Sequence, residues 1–190
     1  MTQLRQPVSD QDHRQGPDDA PVQLVEYGDY ECSYCGRAYT IVKAVQERLG
    51  QRMQLVFRNF PLSTIHPSAE LAAEAAEAAG AQGRFWEMHD ALFENQTELG
   101  ADLVIALAQG LALDLPRYMR ELSERVYKER VQRDFLGGVR SGVNGTPTFF
   151  VNGIRYDNPV EVDSLTAMLE LLARGERAGK AAHAGVPFGR

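Results

Sequence analysis

Val25-Glu26-Tyr27-Gly28-Asp29-Tyr30-Glu31-Cys32-Ser33-Tyr34-Cys35-Gly36 is the stretch on which the fold turns. Its front half continues Pro21-Val22-Gln23-Leu24, a β-prone run that Gly28-Asp29 stops, so it reads as a strand. Its back half opens a helix. Tyr39, Val42, Val45 and Leu49 recur at helical spacing, and Gly50 stands where a C-cap glycine belongs. The two cysteines therefore fall at a strand-to-helix junction. A helix N-terminus presents unpaired N–H groups and the positive end of the helix dipole, and such a place lowers a thiol pKa from ~8.5 to between ~3.5 and ~7.5. Cys32, at or before the first turn, gains most. Cys35 lies one turn further in, more buried, and within reach of a mixed disulfide on Cys32.

Three other readings of the pair stand beside this one. Half a zinc site needs two more nitrogen or sulfur ligands, and His13, His66, His89 and His183 show no ligand spacing. A structural disulfide closing so short a loop removes little chain entropy. Two plain core cysteines fit poorly beside Glu31 and Ser33.

Working outward, Met53-Gln54-Leu55-Val56-Phe57-Arg58 is a second strand, stopped by Asn59-Phe60-Pro61, which gives a parallel βαβ unit. From Pro67 to Gly142 the pattern is helical. Ser68 to Ala79 is Ala-rich between Pro67 and Gly80; a second helix carries Phe85, Met88, Leu92 and Phe93; a third carries Leu103, Val104, Leu107, Ala108 and Leu111. Asp114 caps a fourth from about Pro116, and Val126 to Val139 forms the last. Phe85 and Trp86 read as core, and the charges from Glu121 to Asp134 as a solvated face. Strand character returns at Thr148-Phe149-Phe150-Val151, where Asn152-Gly153 before Ile154-Arg155-Tyr156 signals a hairpin. A helix from Val162 to Ala173 closes the pattern. The plan is α/β: residues 21–62 and 143–173 make one discontinuous domain, and 63–142 a helical insertion. Residues 1–20 are expected to be a disordered or loosely draped tail, and 174–190 a flexible one.

Composition removes several functions. With 20 Lys and Arg against 26 Asp and Glu, the net charge of −6 argues against a nucleic-acid footprint. No apolar run approaches the ~20 residues of a membrane-spanning helix. Two cysteines are too few for a disulfide-stapled scaffold, and Met1 to Ala20 has no apolar segment of the secretory kind. The expected location is cytoplasmic, or periplasmic if a signal has been removed. In a reducing compartment two closely spaced cysteines do redox chemistry or bind metal.

The last motif is Gly145-Thr146-Pro147-Thr148, just ahead of the returning strand, where an X-Pro bond is a candidate for the cis form. Strand, C-x-x-C, helix, and then Thr146-Pro147 before a hairpin and a last helix resemble the thioredoxin fold. The helical insertion narrows the resemblance to the DsbA-like thiol–disulfide oxidoreductases. It is carried by Val25 to Gly36, by Phe57-Arg58-Asn59-Phe60-Pro61-Leu62, by Gly83-Arg84-Phe85-Trp86 and by Val143-Asn144-Gly145-Thr146-Pro147-Thr148-Phe149. The branch most like it is the bacterial one related to thioredoxin domains appended to sodium–proton antiporters, and the likeness spans about Val22 to Ala173.

The resemblance implies a mixed sheet of thioredoxin type, with Cys32 as attacking nucleophile and Cys35 as resolving thiol. It implies that Pro147 is a cis-proline beside the site and that Thr146 offers backbone groups to an extended substrate. Glu26 matches the family's partly buried acid, a proton relay for the second cysteine; the alternative is an edge-strand carboxylate in water. Ser33 departs from the proline that relatives often carry, and Ser33 and Tyr34 would tune the redox poise. His66 reads as a loop histidine before a helix, with a place on the active-site face as the alternative. The expected function is a thiol–disulfide oxidoreductase, reductase or isomerase rather than net oxidase, with no cofactor beyond the dithiol. Its partners would be protein thiols or disulfides and a thiol or thioredoxin-type electron donor. The competing function is a non-catalytic redox sensor or binding module, and a metal-binding module stands behind both.

Overall fold

The computed structural model describes residues 2–184. The strands are β1 (His13–Gln15), β2 (Val22–Gly28), β3 (Met53–Asn59), β4 (Thr148–Val151) and β5 (Ile154–Tyr156). They form one mixed sheet in the order β1-β3-β2-β4-β5. Helix α1 (Ser33–Leu49) crosses between β2 and β3, which pair in parallel from Val22↔Met53 to Gly28↔Asn59. The other pairings are antiparallel. Asn152 and Gly153, with φ of 48° and 80°, turn the β4–β5 hairpin in the left-handed backbone region that such a tight turn needs.

Helices α2 (Ala69–Gly80), α3 (Phe85–Glu94), α4 (Ala101–Gly110), α5 (Leu115–Ser123) and α6 (Lys128–Arg140) fill the chain between β3 and β4. Helix α7 (Val162–Ala184) follows β5. One core lies where Val42, Val45 and Leu49 of α1 and Leu165 and Leu169 of α7 meet Leu24, Leu55 and Phe149 of the sheet. A second joins Phe57 to the alanines of α2 and to Phe85, Met88 and Leu92 of α3. Seven buried alanines let α2 lie close to its neighbours. A third packs Tyr27, Phe60 and Phe150 against Phe135 of α6. Among the described residues no helix is long and apolar enough to cross a membrane.

Three expectations are corrected. The first twenty residues are not a loose tail but a belt across the sheet. Leu4 N–H donates to Gly153 O at 2.8 Å and Arg155 N–H to Thr2 O at 2.9 Å, while His13–Gln15 pair with Leu55–Phe57. What holds the belt is a buried cation. Arg58 has no exposed surface, and its guanidinium donates to Asp12 Oδ1 at 2.7 Å and to the Gln6 and Pro7 carbonyls at 2.9 and 3.1 Å. The belt's polar composition hid this, because its carbonyls and carboxylate are what a buried guanidinium requires.

Glu121 to Asp134 is not one solvated helix either. The chain breaks between α5 and α6, with Arg125 at φ 53°, and Asp134 is buried. It accepts from Arg130 one turn back and from Asn59 N–H at 3.2 Å, so an i,i+4 pair of opposite charges points inward here. Finally, α7 does not stop at Ala173 but continues to Ala184, through Ala, Arg, Lys and Glu residues that outnumber Gly175 and Gly179 in a stretch expected to be a flexible tail; residues 185–190 lie outside the described residues.

Candidate active site

Strand β2 is central, and its C-terminal end delivers the dithiol to the start of α1. Cys32 is the N-cap residue, with φ −71° and ψ 117°, so it stands beside the free N–H groups of the first turn. The backbone is tied on both sides: Cys32 N–H donates to Asp29 O at 3.2 Å and Gly36 N–H to Cys32 O at 3.1 Å. Gln96 pins it from the insertion, its Nε2 donating to Tyr30 O at 2.7 Å and Cys32 O at 2.9 Å. Gly36 makes that approach possible, because a Cβ there would collide with Gln96 Oε1.

The two thiols are free, and both are largely shielded, Cys32 at 5% exposure and Cys35 at none. Their electrostatics separate them. Hydrogen bonding from the Cys35 side chain outweighs burial and, with Thr146 and the Cys35 and Tyr34 N–H groups, brings the Cys32 pKa down to about 5. Burial first, then the Cys32 hydrogen bond and the Glu26 charge, push Cys35 far up. Asp29 N–H donates to Cys35 Sγ at 3.4 Å. At neutral pH the pair is one thiolate backed by one thiol. That is not the behaviour of two inert core cysteines.

Glu26 is no edge carboxylate. It lies between Phe57 of β3 and Phe149 of β4, is 3% exposed, and its Oε1 has no hydrogen-bond partner. Burial pushes its pKa up to about 8. Opposite the dithiol, the Thr146–Pro147 bond is cis, and the Thr146 carbonyl oxygen lies 3.4 Å from Cys32 Sγ. Thr148 Oγ1 donates to Gly145 O at 2.7 Å and fixes that loop. Ser33 and Tyr34 face outward; Tyr34 is 63% exposed, with the Arg37 guanidinium 4.4 Å above its ring.

His66 sits on the active-site face rather than idling ahead of a helix. Its Nδ1 is 2.7 Å from Asp29 Oδ2. Asp29 and Gln96 are the residues that sequence reasoning missed. Gly28-Asp29 signalled only the end of a strand, and nothing in Gln96 announces a contact 64 residues away. Among the described residues no three His, Cys, Asp or Glu side chains gather as a metal site. His89 is buried and driven down to about 3 by that burial, and His13 pairs with Glu77 at 2.8 Å.

Known proteins resemble this chain in sequence and fold. The family described as Thioredoxin matches residues 8–171. The Na(+)/H(+) antiporter NhaA 1 of Salinispora arenicola is 46% identical over 170 residues, covering 88% of this chain and 26% of its own. The Na(+)/H(+) antiporter NhaA of Herminiimonas arsenicoxydans is 39% identical over 175 residues, covering 92% and 28%. The chain thus spans about a quarter of the length of these relatives. Among solved structures, oxidised BdbD from Bacillus subtilis superposes with a TM-score of 0.80 at 25% identity, covering 90% of this chain and 97% of its own. Wolbachia pipientis alpha-DsbA1 gives 0.80 at 17%, covering 93% and 97%. With a C-x-x-C at the start of α1, a proline loop facing it and a helical block set between β3 and β4, the chain belongs to the thioredoxin family and has its DsbA-like form.

Proposed function

We propose that the protein is an enzyme that exchanges disulfides with protein substrates through Cys32 and Cys35. The observation that carries this is the asymmetry of the pair, a thiolate at the helix start backed by a buried thiol. Cys32 Sγ⁻ attacks a substrate disulfide, giving a mixed disulfide and a substrate thiolate that takes a proton from water. Cys35 then loses its proton, to the Glu26 carboxyl when that is ionised and otherwise to water, attacks Cys32 Sγ and releases the second substrate thiolate. Two electrons have moved from the dithiol to the substrate, and a thiol or thioredoxin-type donor restores the pair. The reverse sequence oxidises a substrate. The extended substrate would lie along the Thr146 backbone, its disulfide held beside Cys32.

A Cys32 pKa of about 5 lies between the ~7 of thioredoxin and the ~3.5 of DsbA. Where thiol buffers oppose disulfide formation, isomerisation or reduction is the expected net direction. The test is Cys35→Ser in acid-quenched cells. A hydroxyl cannot resolve the intermediate, so mixed disulfides should accumulate as high-mass bands that collapse on reduction, absent from the Cys32→Ser, Cys35→Ser protein. No difference between the two folded variants would end the exchange reading. A single stoichiometric event with a thiol donor, in place of repeated turnover of insulin, would favour a sensor.

A further inference from the structure

Asp29 joins His66 to both cysteines. Its carboxylate is 2% exposed and accepts from Glu31 N–H and Leu62 N–H, each at 2.8 Å, and faces His66 Nδ1 at 2.7 Å. Its main chain reaches both cysteines, the N–H donating to Cys35 Sγ and the carbonyl accepting from Cys32 N–H. His66 is thereby tied to the dithiol through one rigid residue. We propose that His66, held by Asp29, is a positioning residue whose imidazole charge and the redox state of Cys32–Cys35 are linked. The proposal rests on the exchange reading for its purpose but not for its measurement.

The charged groups facing His66 come from the β2–α1 turn: Asp29, Glu31 and the Cys32 thiolate. Its own loop, residues 60–68, carries no other charged side chain, and neither does Gly145-Thr146-Pro147. Glu70 of α2 is engaged by Arg125 at 2.7 Å. Burial alone would lower the imidazole's pKa. The Asp29 hydrogen bond and charge, with Cys32 and Glu31 behind them, outweigh it and hold His66 above the ordinary histidine value.

The consequence is reciprocal. An imidazolium favours the neighbouring thiolate, and the thiolate favours the imidazolium by the same free energy. In the exchange step, Cys32 thiolate and Cys35 thiol give two electrons to a substrate disulfide and become a neutral disulfide, while the substrate leaves as two thiols or thiolates. The anion facing His66 has then gone, and the imidazole releases part of its proton to water. Reduced protein therefore holds His66 protonated to higher pH than oxidised protein does.

The experiment is an NMR titration of the His66 Cε1–H in the full chain, reduced and oxidised, with the resonance assigned from His66→Gln. The apparent pKa should be higher in the reduced form by about half a pH unit. Equal values in the two forms would overturn the proposal. A second reading follows Cys32 by thiolate absorbance. His66→Gln should raise its pKa by about half a unit, while His66→Lys, which keeps a cation, should leave it near wild type. If both substitutions shift it alike, His66 only shapes the loop and the proposal fails. Neither measurement needs a substrate, so absent turnover would sink the exchange reading alone, and an insensitive His66 this inference alone.

Discussion

A carboxyl kept protonated to about pH 8 inside a central strand destabilises the protein that holds it, and Glu26 shows how much. Its unfolded counterpart ionises near 4.5. Between these two values the folded chain binds the extra proton, so stability falls as pH rises. Glu26→Gln removes that dependence. Relative to wild type it should change nothing at pH 4 and add on the order of 3 kcal/mol by pH 7, read from denaturant midpoints, with a gain already full at pH 4 as the contrary result. It should also slow release of the mixed disulfide above about pH 8, where wild-type Glu26 is ionised and can take the Cys35 proton. At this scale the cysteines were legible because their chemistry depends on local spacing. Glu26 was legible only through its distance from Cys32, and its burial required knowing that β2 is flanked on both sides. Gln96 and His66, and the links of Asp29 to Leu62 and His66, act between distant segments, which no window of sequence contains.

Helices and strands were mostly legible, since each carries its own periodicity: Val42, Val45 and Leu49 on α1, Leu165 and Leu169 on α7. The belt was not, because β1 is three residues long and only Leu4 and Val8 among the belt's polar residues pack on the core, beside the buried Arg58–Asp12 pair. Its energetics are testable. Arg58→Met leaves Asp12, whose side chain is 4% exposed, without its counter-charge, and breaking such a buried pair costs about 3–5 kcal/mol. The substitution should lower the denaturant midpoint and open residues 2–15 to proteolysis, and Asp12→Asn added to it should cost less than the sum of the two. Desolvation would raise the Asp12 carboxyl, but the Arg58 hydrogen bond and charge carry it below its ordinary value. That contribution is present above pH ~4 and is lost as pH falls through the folded pKa. A belt that stays protease-resistant in Arg58→Met would show that strand pairing alone holds it.

For the whole molecule, the dithiol couples redox state to stability. Cys32 ionises near 9 when unfolded and near 5 when folded, so the reduced protein gains stability as pH rises from 5 to 9, on the order of 2 kcal/mol at pH 7. Oxidation abolishes that gain. The reduced protein should melt above the oxidised one at pH 7, the gap closing near pH 5 and narrowing again above pH 9, where unfolded Cys35 ionises and the buried one does not. Calorimetry in matched buffers reads it directly; a gap independent of pH would mean that Cys32 is not the source. The belt bears on the molecule at this scale too. The sheet's outer strands, β1 and β5, are three residues each, and residues 2–4 run beside one before residues 13–15 complete the other. Among the described residues neither rim offers a long ladder of unpaired peptide groups, so a passing chain meets few places to add itself as a sixth strand. The domain is thereby guarded against edge-to-edge association with other chains.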